Sequence, residues 1–414
     1  MLKAIKNRYE LVIALCCFLI LFTNIGLAST SFSVYQPYLV AIPGVGHSGG
    51  SIILSVRTFV SLIAMFFVAR YYAWLNCRLG VLVASLCVAA GFALYAINSS
   101  NYLGLCAGSV FTGLGYGLGG MIASTMLISR WFESSVATVA GFAAVGSGVA
   151  AVILPNIVVG IVGASGLASA FAFEAVLAAA MGVLVFALLR NFPEDMGLKP
   201  YSGPEKPKRG KPRKQQKRVS RNVPHKVMPL VLMAMVFVGC ISVGGTSYLA
   251  VLFTSEGFTT EAAAALVALN GGCLAVAKLV SGLVLNRVGT RNGSALFFAL
   301  FIAGTALLCA TALGATSLAP VAVVLYSIGL TLGSVGVSVW SIELSPQGHE
   351  VQTIKNFQIC YALGGFVFTF LPGFLTEAFG TYLVSYVALL AMITLAGIII
   401  IGVYTATDLR KRKA

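Results

Sequence analysis

Charge is what this chain has least of. Asp, Glu, Lys and Arg make up only 9% of its 414 residues, against 58% hydrophobic, where soluble domains carry about 25% charged residues. So little charge cannot cover a soluble globule. Histidine is scarcer still: His47, His225 and His349, all in predicted loops. No HExxH, P-loop or nucleophile elbow occurs, so an enzyme is not expected. Nine cysteines are present without CxxC or metal-ligand spacing. They read as small apolar residues inside hydrophobic segments, with Cys77 in a short loop, and neither a disulfide framework nor a metal site is expected. Alternating segments of about ten residues are missing too, which excludes an outer-membrane barrel.

What the chain does have is long apolar runs. A helix needs roughly 20 apolar residues to cross the hydrocarbon, and only helices or closed barrels can do so. Runs and breaks predict twelve spans: 11–36, 50–69, 79–97, 102–128, 135–159, 167–189, 227–252, 262–285, 293–313, 317–341, 354–376 and 380–404. The first run is too long for a signal peptide and lacks an A-x-A site. One stretch, 190–226, cannot lie in a membrane: it holds twelve basic residues against Glu194, Asp195 and Glu205. It reads as a solvated basic linker between two six-helix halves, 1–189 and 227–414.

All but two of the 27 Lys and Arg fall in alternate connections and the two termini. The other connections carry none, only Glu256, Glu261 and Glu377. This positive-inside pattern places both termini and the linker in the cytoplasm of a multi-pass inner-membrane protein. It also accounts for the net charge of +15 without nucleic acid; the basic linker could also attract anionic membrane lipid.

The halves repeat. Ala73-x3-Cys77-Arg78-x-Gly80 follows the second span, and Gly282-x3-Asn286-Arg287-x-Gly289-x-Arg291 follows the eighth. Gly148 stands seven residues before Pro155 in span five, and Gly365 seven before Pro372 in span eleven. Parallel repeats imply a pseudo-two-fold axis along the membrane normal. Twelve spans, a basic central loop and the turn after spans two and eight resemble the major facilitator superfamily across nearly the whole chain. The resemblance implies that these turns, with Arg78, Gly80, Gly282, Asn286, Arg287, Gly289 and Arg291, help govern a conformational switch. Asn286 and Cys77 stand where the family usually has Asp. Arg130-Trp131-Phe132 and Asn191–Pro200 are similar to the branch containing oxalate–formate antiporters and monocarboxylate transporters.

Gly115-x-Gly117-x-x-Gly120 matches a dinucleotide fingerprint but lies inside an apolar run without a preceding strand. No cofactor is expected; Gly113, Gly115 and Gly117 suit close helix packing. Many superfamily members carry an Arg where this chain has Ser109.

The two basic residues left outside the alternate connections and the termini, Arg57 and Lys278, lie inside spans. Lys278 lies eight residues before Asn286, roughly 12 Å along the helix. An ammonium there costs about 3 kcal/mol even on the mildest insertion scale. In the resembled branch the matching position is a substrate-binding Arg, and Leu274 stands where its proton-coupled members have Asp. The other reading of Lys278 is a side chain snorkelling to the inner interface, or one paired with Glu174. Arg57 could steer anions or cap helix carbonyls; Glu174 reads as reaching the outer interface, with pairing to Arg57 as the alternative. Span one ends in Ser29, Ser31, Tyr35 and Gln36, and span seven repeats the theme with Ser242, Thr246 and Tyr248. Tyr35 and Tyr248 are candidate lining residues, Trp340 and Tyr361 weaker ones; hydroxyl-mediated helix packing is the other reading. The expectation is an all-α, monomeric secondary transporter that exchanges a small organic anion, a carboxylate. An exporter of amphipathic compounds and a non-transporting sensor stay open as rivals.

Overall fold

A computed structural model describes residues 9–30, 32–132, 136–202, 223–345 and 350–413. Ser31, His349, the side chains of His225 and Asn286, and linker residues 203–222 lie outside that description. Among the described residues twelve helices are long and apolar enough to cross a membrane: Tyr9–Val40, Gly46–Val68, Cys77–Ile97, Tyr102–Ile128, Val139–Ser165, Leu167–Leu188, Met228–Gly245, Thr260–Leu285, Thr290–Ala312, Thr316–Ser341, Asn356–Phe379 and Leu383–Asp408. Among the described residues there is no strand, and a single parallel bridge joins Phe132 to Tyr201.

Local chemistry sets the helix ends. Asn76 accepts the Leu79 N–H at 2.9 Å, an N-cap that satisfies one orphan donor. Cys77 therefore opens span three and is 1% exposed, where the sequence placed it in a loop. Asn101 caps span four in the same way, at 3.1 Å from the Leu103 nitrogen. Gly166 (φ 84) separates spans five and six, and Gly289 (φ 87) separates spans eight and nine. Only glycine takes such a φ freely.

Four spans are not continuous α-helices. Span one runs as Tyr9–Leu21, a π-segment Phe22–Thr30, a 3-10 turn Phe32–Tyr35 and a short helix Gln36–Val40. Span seven repeats this with Met228–Gly239, a π-segment Cys240–Gly245 and Leu249–Ser255. Span four breaks at Gly120, and span ten at the 3-10 turn Leu330–Gly333. The first and fourth spans of each half are thus interrupted. Irregular backbone at membrane depth survives only where protein or a polar cavity covers it, and π-segments are frequent at functional sites.

By internal contacts the chain forms two compact units. One comprises Met1–Pro207 with Thr260–Gly272, the other Lys208–Thr259 with Cys273–Ala414. Within each unit glycines bring backbones together. Gly146 of span five leaves no room for a Cβ against the Phe18 carbonyl oxygen, and Gly26 none against Ala150. In the second unit Gly239 lies against the Tyr361 carbonyl, and Gly364 against that of Val236. Gly148 itself is half-buried. Gly365 abuts Val243, while Pro155 and Pro372 lie inside their helices. Gly113 and Gly117 press on the carbonyls of Arg57 and Ser61 in span two, and Gly115 on that of Ala84 in span three. The glycines of the GxGxxG run are therefore packing surfaces.

The start of the linker departs from the sequence expectation of a solvated segment. Residues 190–202 fold back on the end of span four. Pro193–Met196 forms a 3-10 turn. Asp195 Oδ2 accepts the Phe192 N–H at 3.0 Å. Trp131 Nε1 donates to the Arg190 carbonyl at 3.2 Å, and the Tyr201 N–H to the Trp131 carbonyl at 2.8 Å. Met196, Leu198 and Tyr201 pack against a buried cluster containing Tyr9, Trp131, Phe132 and Leu189. Three local features offset its high charge: a Pro-led cap, a left-handed Gly197 and apolar residues spaced to meet Trp131.

Candidate functional site

The broken stretch of span one is the polar centre of the first unit. A π-segment leaves carbonyls off the regular ladder, and side chains supply donors. Arg57 Nη1 donates to the Ala28 carbonyl at 2.9 Å, and its guanidinium sits 5.1 Å from the Phe32 ring centre. Arg57 is 3% exposed. Thr30 Oγ1 donates to the Ile25 and Gly26 carbonyls, at 3.2 Å each. Asn24 Nδ2 donates to Ser85 Oγ at 3.2 Å. Ser109 shares a 2.8 Å hydrogen bond with the Tyr95 hydroxyl. Around these groups runs an aromatic cluster: Tyr35 stacks on Phe171 at 4.5 Å, and Phe32 contacts both Tyr35 and Tyr95.

Glu174 lies in this cluster, one helical turn beyond Phe171. It is fully buried, so it does not reach the outer interface as the sequence suggested. Span six is apolar on every side, so its composition could not reveal which face turns inward. The Tyr35 hydroxyl lies beside the Glu174 carboxyl, and by distance and angle no hydrogen bond joins them. Among the described residues Tyr35 Oη, both Glu174 oxygens and both amide atoms of Gln36 are buried without a hydrogen-bond partner. Glu174 therefore pairs with neither Arg57 nor Lys278.

In the second unit Lys278 is half-buried in span eight. Among the described residues its ammonium makes no hydrogen bond or ion pair; its carbonyl accepts from Ser281 Oγ at 3.1 Å. Tyr248 is 1% exposed and donates to the Thr369 carbonyl at 2.7 Å. Tyr35, its counterpart, is equally buried. Ser242 Oγ has no partner among the described residues and lies with the Tyr361 hydroxyl beside Gly333, at the break in span ten. Trp340 is buried, stacks on Phe298 at 5.5 Å and donates to Ser294 Oγ at 2.9 Å.

The two predicted switch turns anchor differently. Arg78 donates through Nε to the Phe186 carbonyl at 2.7 Å and lies 4.2 Å from the Phe186 ring centre. Its backbone N–H donates to Asn191 Oδ1 at 2.9 Å. Gly80 lets the Tyr72 ring approach. The Tyr71 and Tyr72 hydroxyls donate to the Gly80 and Leu118 carbonyls, and burial raises both phenols above their ordinary pKa. In the second turn Arg287 is exposed and Gly282 has open space around it. Arg291 Nη1 stands 3.9 Å from Asp408 Oδ2. Glu343 accepts from Thr290 at 2.7 Å and Tyr404 at 3.1 Å, an anchor the sequence reading missed. Among the described residues no group of three or more His, Cys, Asp or Glu converges on a metal-sized site.

No curated protein matches the sequence. Solved structures share the fold at low identity. The nucleoside transporter NupG aligns with TM-score 0.72 at 11% identity, covering 96% of this chain and 99% of its own. A D-xylose–proton symporter gives 0.68 at 13%, covering 94% and 95%. A POT family transporter in complex with 5-aminolevulinic acid gives 0.69 at 15%, covering 94% of each chain. The profile of the Major Facilitator Superfamily matches residues 15–369. The chain belongs to the Major Facilitator Superfamily of membrane transporters.

Proposed function

We propose that this transporter moves a small organic anion, a carboxylate, and that the Lys278 ammonium is the charge that holds it. The carrying observation is the asymmetry between its two intramembrane cations. Arg57 is already engaged by the Ala28 carbonyl and the Phe32 ring. The Lys278 ammonium has no hydrogen bond or ion pair among the described residues, and only its carbonyl is engaged, by Ser281 Oγ. A charge kept within a span without a protein partner is a functional site by default, and its sign favours an anion. Arg57 serves as a fixed positive charge and a brace for the π-segment. Tyr35 and Tyr248 pack the interrupted second parts of spans one and seven.

Leu274 and Ser109 stand where proton-handling residues occur elsewhere in the family, which favours exchange of one anion for another. The branch assignment rests on Arg130-Trp131-Phe132 and the 191–200 stretch, and the solved neighbours give it no separate support. Counterflow in proteoliposomes against a panel of carboxylates tests the reading. Lys278→Gln should lower counterflow about tenfold or more, the equivalent of 1.4 kcal/mol or more of lost binding, with the protein still folded. Lys278→Arg should keep part of the activity, since the guanidinium is larger and directional. Near-normal counterflow in Lys278→Gln would overturn the anion role and favour an exporter of amphipathic compounds.

A further inference from the structure

We infer that Glu174, with the Tyr35 hydroxyl beside it, is a reversible proton-binding site inside the first unit. Glu174 is fully buried and neither of its oxygens has a partner among the described residues. An ionised carboxylate in that position would be very unfavourable. The group therefore holds a proton in this conformation, with an O–H on one oxygen and the second oxygen free to accept.

Among the described residues no cation pairs with the carboxyl. Span five (Val136–Ser165) and the π-segment Phe22–Thr30 contain no ionisable residue, and span six contains only Glu174. The Cys77–Ile97 helix contributes Tyr95, which packs on Phe171 at 5.2 Å, together with Cys77, Arg78 and Cys87. Arg78 is held by the Phe186 carbonyl, three turns along span six from Glu174. Tyr9–Leu21 contributes Tyr9, Glu10, Cys16 and Cys17; Tyr9 bonds to the Leu188 carbonyl at the far end of span six. Tyr38 lies near enough to Tyr35 to interact with it, and Arg57 stays on Ala28 and Phe32.

The internal repeat argues against a purely structural role. Tyr35 packs on Phe171 and Tyr248 on Tyr382, at 5.8 Å, so the two tyrosines and their ring partners correspond. Three residues past Phe171 stands Glu174; three past Tyr382 stands Ser385. Beside Ser385, Tyr386 donates to the Gly245 carbonyl at 2.7 Å. In the second unit the Tyr386 and Tyr326 hydroxyls bond to the Gly245 and Ile241 carbonyls, while Ser385 Oγ, like the Glu174 carboxyl, is buried without a partner among the described residues. The first carries an acid instead, and packing does not require one. The irregular backbone of span one and the unpartnered Gln36 amide provide polar atoms next to the carboxyl. Through them a proton could exchange when the span rearranges.

The step is simple: a carboxylate oxygen takes a proton from hydronium, leaving water and the acid, and in another conformation the acid returns that proton to water. It makes transport sensitive to pH even though Leu274 and Ser109 are not ionisable. The first test needs no substrate, so an error in the carboxylate reading leaves it intact. Infrared difference spectra of the purified, reconstituted protein are recorded across a pH titration. Wild type should show a protonated-carboxyl C=O band that disappears as pH rises. Glu174→Gln should lack it, and Tyr35→Phe should shift its midpoint. No such band in wild type, a band that does not titrate, or one unchanged in Glu174→Gln would overturn the proposal. Should Glu174→Gln fail to fold, Glu174→Asp must shift the band's frequency and midpoint; an unshifted band refutes the assignment. In liposomes, the response of wild-type flux to an imposed pH gradient should be lost in Glu174→Gln.

Discussion

Gly239 and Gly364 show how little space separates spans seven and eleven, since each leaves no room for a Cβ against a backbone carbonyl. A carbonyl cannot swing aside as a side chain can. Gly364→Ala should therefore force a helix displacement, with overpacking of about 1–3 kcal/mol, visible as a lower thermal midpoint in detergent. Gly282→Ala, where nothing lies within 4 Å, should leave the midpoint unchanged. Residue-scale features were unevenly legible. Lys278 stood out because a cation in an apolar run is visible without any geometry. The environment of Glu174 was not, because an all-apolar span marks no inward face, and its neighbour Tyr35 lies in a turn that composition does not distinguish from helix.

At the scale of elements, the twelve spans were legible because crossing length and hydropathy are one-dimensional properties. Their interruptions were not: Phe22–Thr30 and Cys240–Gly245 have the composition of ordinary apolar helix and change only its winding. The strap at 190–202 was hidden by its charge, although the Pro193 to Asp195 capping pattern, Gly197 and the nearby Trp131-Phe132 pair are sequence signals for a docked turn. Removing its anchor should release it. Trp131→Ala, at a site 2% exposed, should destabilise by about 3–5 kcal/mol, and limited proteolysis should then cut within 190–202. Asp195→Ala loses only the cap, about 1 kcal/mol, and should leave that segment protected.

On the scale of the whole molecule, the distribution of Lys and Arg predicts a cytoplasmic linker. Ser220→Cys, in a background without reactive native thiols, should label only from the cytoplasmic side of intact cells; labelling from outside would reverse the topology. The repeat was legible in short motifs but extends further in the structure. The breaks in spans one and four recur in spans seven and ten, and the glycine contacts of spans one and five recur in spans seven and eleven. Two copies of one architecture thus share a backbone and differ in chemistry, with the buried acid Glu174 in the first and the ammonium of Lys278 within a span of the second.

The docked strap also decides where the gene could be divided. A chain cut after Leu189 would strip the first fragment of the Arg190 carbonyl that receives Trp131 and of the Tyr201 backbone that pairs with it. A chain cut between 203 and 222 would leave both with their partners. Co-expressed fragments divided at the later point should reassemble and transport, while those divided at the earlier one should yield a first fragment that is degraded. By its contacts the 190–202 segment thus belongs with the first unit, although it lies beyond the point where hydropathy first falls.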